Sequence, residues 1–559
     1  MTSRLTQLFT IFLLGFSLQM QAQQWPGYTL YSTQNSTTAR LLDTASAIYH
    51  TWSGLTGQTA YSSYLLPGGV LLRTVKTTNA VFTGGGMAGR VQKVDWNGTI
   101  LWDYTYSTTT YCSHHDVCAL PNGNVLLIAY ELKNSAAVTQ AGCTNAITMW
   151  PDKVVEVQPT GATTGTIVWE WHLWDHLCQS NDSTKDNYVS SSSAHPELYN
   201  INYAPIKEIW HMNGIDYNPM LDQIVVSAHN TNEFYVIDHS TTMAEAASHS
   251  GGRSGKGGDF LYRWGKPATY GQTGTTIFNV LHDAHWIPED YPNAGYLVAL
   301  NNKGISQTQS CVDMAQPPVN GFNYTYTPNT AYAPSTYTQR LTCTGGTTNM
   351  GNSNQLPNGN NLVCLALSGT IYETDPAGNT IWSFTASGSV AQAHRYSTCY
   401  VNAPAVATPT ITVAGNTFTS TSAATYQWYL NGVQIAGATS QSYTATVSGT
   451  YQVRTTDAVA CGYAYSALED LSVPTGIATA AETDLLNVFP NPATNMLYLS
   501  GNAVNGSFNV QLINMAGQIV LTETNTRELD LSSLPAGMYH VMIHTNGEAV
   551  ISRRLAIVR

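Results

Sequence analysis

The chain has 559 residues, too many for one ordinary domain, which sets an expectation of two to four folding units. Only 10% of them are charged, against about 25% in a typical soluble domain; Thr, Ser, Asn, Gly and Tyr take their place, a mix suited to short twisted strands and turns. A formal net charge of -12 excludes the broad basic surface that a nucleic-acid binder needs.

The N-terminus, MTSRLTQLFTIFLLGFSLQMQAQQ, places Arg4 ahead of an apolar stretch from Leu8 to Leu18 and ends in Met20-Gln21-Ala22. The pattern reads as a signal peptide over 1–22, too short to span a bilayer and without the cysteine that a lipid anchor requires. No later run is long enough for a transmembrane helix. Nine cysteines in an exported chain permit disulfides, and the odd number leaves at least one unpaired.

Residues 25–402 are built from a recurring hairpin. Its outer half appears as ARLLDTASAIYHTW, VQKVDWNGTILWDY, VVEVQPTGATTGTIVWEW, FYVIDHSTTMA…GDFLYRW, the Tyr-rich FNYTYTPNTAYAPSTYTQRL and IYETDPAGNTIWSF. Between these lie inner halves such as YSSYLLPGGVLL, HHDVCALPNGNVLLIA and GNSNQLPNGNNLVCLA, and a sixth is assembled from residues 28–32 and 390–402. Repeats of four short strands without helical periodicity predict an all-β, six-bladed β-propeller whose last blade joins both ends of the region. Residues 404–473 alternate with period two around Trp428, as an immunoglobulin-like β-sandwich does, with Cys461 lacking a partner inside the segment. A linker is expected at 474–484 and a small C-terminal β-sandwich at 485–559. Phe489-Pro490-Asn491-Pro492 and Leu534-Pro535-Ala536-Gly537-Met538-Tyr539 in this last segment resemble the C-terminal sorting domain of the Bacteroidetes type IX secretion system. The resemblance implies a partnership with that machinery and export to the cell surface or medium.

Strand parity selects the candidate site. His115 lies six residues before Pro121, His282 six before Pro288 and His211 eight before Pro219, all even separations, so the three are expected to point the same way from consecutive blades. Tyr61 and Gly351 hold the matching positions in flanking blades, and His114, His285 and His394 lie near by. Asp116 follows His115 and is placed to orient a neighbouring imidazole or to bind its own turn. A three-histidine metal site at His115, His211 and His282 is an alternative, whereas Cys112, His114, His115 and Cys118 do not have zinc-finger spacing. His172, Trp174, Asp175 and His176 in WEWHLWDHL are candidates for a loop folded over the channel mouth. The Gly-rich SGGRSGKGGD at 250–259 reads as a flexible insertion, since no helix follows to make it a phosphate loop.

The succession of His115-Asp116 before LPNGNVLL, His211-Met212-Asn213 with Ser227, Arg263-Trp264-Gly265, Leu281-His282-Asp283-Ala284 with Asn301-Asn302, GNSNQLPNGN and HRYS resembles the bacterial arylsulfotransferase family. That resemblance implies a six-bladed propeller that moves a sulfuryl group from an aryl sulfate to a phenol without a nucleotide sulfate donor, other cofactor or metal. In better-known members a channel histidine becomes a sulfohistidine while other histidines and an arginine hold the sulfate. By the resemblance His211 and His282 match the sulfate-holding histidines, with Asn213 beside them and Lys303 near the arginine's place. The nucleophilic histidine is expected where this chain has Gly351-Asn352-Ser353-Asn354, so His115 and His394 become the substitutes, with His114, Asp116, His285 and Arg395 as further substrate contacts. The competing function is a non-catalytic surface propeller that binds a sulfated or aromatic ligand.

Overall fold

Outer hairpins turn on an aspartate whose carboxylate ties down its own loop. Asp43 accepts from the amides of Ala45 and Ala47, Asp95 from those of Asn97 and Thr99, and Asp375 from that of Asn379, at 2.7–2.9 Å. The tryptophan that ends each such hairpin then reaches the neighbouring repeat. Indole N–H groups of Trp52, Trp102, Trp169 and Trp264 donate to Asp95 O, Thr164 O, Thr241 Oγ1 and Pro334 O, and Trp382 closes the series on Ser46 Oγ. The repeated tryptophan is thus a latch between sheets as well as buried area.

The computed structural model describes residues 23–473, 486–515, 517–545 and 548–559; the expected signal peptide and linker lie outside the described residues. Between Tyr28 and Tyr396 the described chain forms six four-stranded antiparallel sheets. Their first strands are Thr59–Leu66, Tyr111–Ala119, Met212–Asn218, Leu281–Trp286, Asn352–Gln355 and Val390–Tyr396. Each packs on the first strand of the next sheet, and Val390–Tyr396 packs on Thr59–Leu66, so the series closes on itself. Val390–Tyr396 pairs antiparallel with Tyr28–Thr33, Leu30 opposite His394, joining both ends of the region as expected.

The fifth repeat corrects the sequence reading. Its third strand is Gln309–Ala315, which pairs with Gln339–Thr342, and most of the Tyr-rich stretch is an insertion. Pro317, Pro318, Pro328 and Pro334 withhold ladder donors there, while Tyr324 and Tyr332 pack on Tyr262.

Residues 411–471 form a three-stranded sheet and a second sheet of five strands. Trp428 is fully buried against Phe418 and Tyr443 and donates to Ser440 O. Cys461 is not alone: it pairs with Cys399 just upstream of the segment. Tyr429 and Arg454 reach Glu289, and Arg454 also reaches Asp290. In the C-terminal unit Leu497, Leu512, Val541 and Leu555 fill the core between two small sheets. There the Asn491 amide binds Arg554 O and Ala556 N, pinning the Phe-Pro-Asn-Pro segment to the final strand.

Candidate functional site

The first strands do not run as plain ladders. Register breaks fall at Thr59/Ser63, Ser113/Val117, Met212/Gly214 and His282/His285. His115, His211, Asp283 and Met350 adopt left-handed backbone, with φ of 49°, 58°, 60° and 56°. Bulges of this kind re-aim side chains, and left-handed non-glycine residues cluster where geometry is functional. Their product is a group of imidazoles: His115 lies 4.7 Å from His211, His211 5.3 Å from His229, and His229 5.7 Å from His282, ring centre to ring centre. Tyr61, from the matching position, meets His115 edge-on at 4.9 Å.

Partners fix the protons. Asp152 is fully buried; it accepts the amides of His211 and Met212, each at 3.0 Å, and its Oδ1 stands 3.0 Å from His114 Nε2 as an ion-pair contact. With its proton on Nε2, His114 offers a lone pair at Nδ1, and His115 Nδ1 stands 2.9 Å away as the donor. His115 Nε2 is therefore left with its lone pair outward. Burial and the neighbouring imidazoles His211, His114, His282 and His229 hold the His115 pKa well below the usual histidine value; burial likewise lowers that of His114, which stacks on Tyr130 at 3.7 Å. This Asp152–His114–His115 chain makes one polarised imidazole.

His211 Nδ1 faces Glu208 Oε2 at 2.6 Å and the Tyr130 hydroxyl at 2.8 Å, leaving Nε2 toward the site. The hydrogen bond from His211 holds the Glu208 carboxyl below its ordinary pKa despite burial. His282 differs: Nδ1 is bonded to Asn302 Oδ1 at 2.7 Å, and Nε2 accepts the Met350 amide at 3.1 Å. Burial, with His229 beside it, pushes its pKa down to about 3. Both nitrogens being spent, His282 braces the site, and His115, His211 and His282 do not present three free nitrogens to a common metal ion. At Gly351 φ is 93°, and an added Cβ would sit 2.6 Å from Cys364 O and 2.7 Å from Leu300 Cδ2, so the expected histidine position has no room for a side chain.

His229 was missed, and so were Asp152, Glu208 and Tyr130. His229 follows the second strand of its hairpin, and its amide donates to His211 O, directly across the ladder. Lys303 lies close enough to His229 to help burial and His211 depress its pKa. Gly84, Gly85 and Gly86 also went unread: Cβ atoms there would fall 2.8 Å from Glu208, 3.2 Å from His211 and 2.2 Å from His115. The glycine run lets the backbone wall the site while leaving space at the His115 Nε2 edge.

The other expected residues separate from this group. Asn213 spends its amide on Leu281 O and Ser227 Oγ, locking a bulge. Asp116, His285 and His394 lie further along the strands: Gln392 bridges Asp116 and Asp283, Tyr64 donates to Asp116, and Asn354 binds His394. Burial and then Asp283 raise the Asp116 pKa to about 7; burial opposes charge on His285, but Asp283 outweighs it and lifts His285 to about 9; burial lowers His394 to about 4. Arg395 is a buried strut on Glu373, Thr29 and Trp25 O. The proposed lid residues stay away: His172 pairs with Glu131 and Glu170, Trp174 lies under Lys133, and His176 is buried beneath Trp171. An open cleft of about 530 Å³ lined by Pro292, Arg340, Gln355 and Gly378 shares no residue with the imidazole group. No described helix is long and apolar enough to cross a membrane.

Residues 60–323, which hold all four imidazoles, Asp152 and the glycine run, match the family described as Arylsulfotransferase (ASST). Residues 487–558 match the Secretion system C-terminal sorting domain. No curated protein matches the chain. Among solved structures, a protein of unknown function from Bacteroides caccae is 11% identical with a TM-score of 0.37, over 66% of this chain and 99% of that one. The Pseudomonas aeruginosa periplasmic gluconolactonase PpgL is 12% identical with a TM-score of 0.37, again over 66% and 99%.

Proposed function

The chain carries an arylsulfotransferase (ASST) family domain and a type IX secretion C-terminal sorting domain, and from that premise we propose that it is an exported aryl-sulfate sulfotransferase whose nucleophile is His115. In this reading residues 25–402 are a six-bladed propeller closed by strand Val390–Tyr396, and 404–473 are an immunoglobulin-like spacer ahead of the sorting domain. One observation carries the catalytic assignment: the Asp152–His114–His115 chain leaves the His115 Nε2 lone pair beside His211.

The reaction runs in two displacements. His115 Nε2 forms a bond to sulfur as the aryl S–O bond breaks. The departing phenolate takes a proton from His211 Nε2, while the His115 Nδ1 proton passes to His114, whose charge faces Asp152. A phenol acceptor then gives its proton to His211, its oxygen takes the sulfuryl group, the N–S bond breaks and the Nδ1 proton returns. His211 with Glu208 as counter-charge, and Lys303 beyond His229, supply positive potential for the sulfate oxygens in a buried site. Incubating the mature protein with an aryl sulfate and a phenol, with and without chelator, tests the reading. Turnover insensitive to chelator is expected; no turnover with sulfate-ester binding intact would instead establish a binding propeller.

Two further outcomes follow from the geometry. Neutral His115 is the reactive form and its pKa lies well below 6.5, so the acid limb that His115 sets in the pH–rate profile is expected well below pH 6. A limb centred near 6.5 would contradict a buried nucleophile. Gly86→Ala would set a methyl 2.2 Å from His115 Nε2 at a residue whose φ is +65°, so turnover is expected to fall by at least about 10²-fold through misplacement of the ring. Single-turnover kinetics with the chain still folded by circular dichroism would check it.

A further inference from the structure

The two segments left without a role, WEWHLWDHL and the Gly-rich stretch 250–259, meet each other. His176 ends a short turn, Leu173–His176, and is fully buried under Trp171, whose ring lies parallel at 5.4 Å. His249 immediately precedes the Gly-rich stretch and Asp259 ends it. Asp259 Oδ1 lies 2.8 Å from His176 Nδ1 and 2.8 Å from His249 Nδ1, and the three ligand-type atoms all fall within 4.8 Å of one another. The stretch itself is ordered by its own bonds rather than flexible: Gly257 N donates to Gly251 O, Gly258 N to Ser248 O, and Trp171 Nε1 to Gly258 O at 2.7 Å.

We propose that His176, His249 and Asp259 form a binding site for a divalent transition-metal ion of the zinc class that clips the Gly-rich insertion shut, separate from the imidazole site. His176 Nε2 lies 2.8 Å from Ala246 O, a group that only accepts, so Nε2 carries a proton, and the second proton, held between Nδ1 and Asp259 Oδ1 at 2.8 Å, is the one a bound ion would displace. An imidazole that donates its far N–H to a backbone carbonyl while its near nitrogen faces a carboxylate and a second imidazole has the outer-shell arrangement of a metal-bound histidine. Two imidazoles and one carboxylate suit zinc-class ions with water in the fourth position, whereas calcium and magnesium select oxygen donors. Bonds of about 2.0–2.1 Å at tetrahedral angles need ligand atoms about 3.3 Å apart. The two 2.8 Å pairs must therefore open slightly, which His249 allows because its side chain is 61% exposed. Gly258 is required at the site's back wall, since a Cβ there would fall 2.0 Å from Ala246 O and 2.5 Å from His176 Nε2. Closing the insertion fixes Arg253, which bridges to Asp470 at 2.7 Å and to Leu468 O. The ion is thereby linked to the docking of residues 411–471 on the sheets.

The test uses the full mature chain, stripped with chelator and titrated with Zn²⁺ and, separately, Co²⁺. The wild type is expected to take up one more equivalent than His249→Ala, with affinity at that site lower by at least about 100-fold in the variant and a metal-dependent rise in unfolding temperature that the variant lacks. Asp259→Asn is expected to lose the same equivalent. Co²⁺ bound there should lack the thiolate charge-transfer band, because the seven free cysteines are not ligands. Zinc should also protect residues 250–258 from limited proteolysis in the wild type alone. Equal uptake by wild type and His249→Ala, or uptake carrying the thiolate band and indifferent to His249, overturns the proposal.

Discussion

His115→Asn is expected to lower aryl-sulfate turnover on the order of 10³-fold or more, whereas His394→Asn costs far less. Asparagine is the informative replacement because His115 has φ of 49°. Asn tolerates left-handed backbone, while Ala would add strain at that position and confound chemistry with stability. Its side-chain amide keeps a donor toward His114 and removes only the nucleophilic nitrogen. His394 lies in the other buried group with Asn354 and Tyr64, where burial holds it neutral. Steady-state rates on both variants, with peptide mapping of a trapped sulfo-adduct in the wild type, decide the matter. An adduct on His394, or near-normal turnover by His115→Asn, would remove His115 from the mechanism.

Much of the framework was legible because its causes are local and repeated. The Asp turn and the closing tryptophan recur in the sequence, and the structure shows why: one satisfies a loop, the other bonds to the next sheet. The joined ends were also readable, from a count of strands short by one. The fifth repeat misled because tyrosines raise strand propensity in a stretch where prolines forbid a ladder. For the site, parity counted from the turn proline could not by itself fix side-chain direction, because each of the strands carrying Tyr61, His115, His211 and His282 has a register break. Parity could not foresee that left-handed residues would send Asp116 to one level and His115 to another. His229 could have been found, since an antiparallel hairpin sets the residue after its second strand opposite the residue before its first. Glu208 could have been found too, since it lies three residues before His211; Asp152 could not, because it comes from the third strand of His114's own sheet and no local spacing links the two. Gly351 is a matter of space alone: the surrounding Cys364 carbonyl and Leu300 leave no volume for the histidine the pattern suggested.

The relay behind His115 makes the sharpest quantitative claim. Asp152→Asn and His114→Gln are each expected to lower kcat on the order of 10²-fold with KM nearly unchanged, and together to cost little more than either alone. Asp152 and His114 are positioning residues, since neither touches substrate in the proposed reaction. Their effect comes when the His115 Nδ1 proton moves to His114 and its positive charge develops 3.0 Å from the Asp152 carboxylate. An amide at 152 cannot stabilise that charge, and glutamine at 114 can accept the hydrogen bond from His115 but not the proton. Either change breaks the same step, so the losses overlap instead of multiplying. Asp152→Asn also leaves one buried donor facing the amide of His211 or Met212, a stability cost of about 1–3 kcal/mol that thermal unfolding would register separately. A structural role alone would lower the fraction folded and leave the kcat of the folded molecules intact. Multiplicative losses in the double variant, or a change confined to KM, would show that His115 acts without the relay.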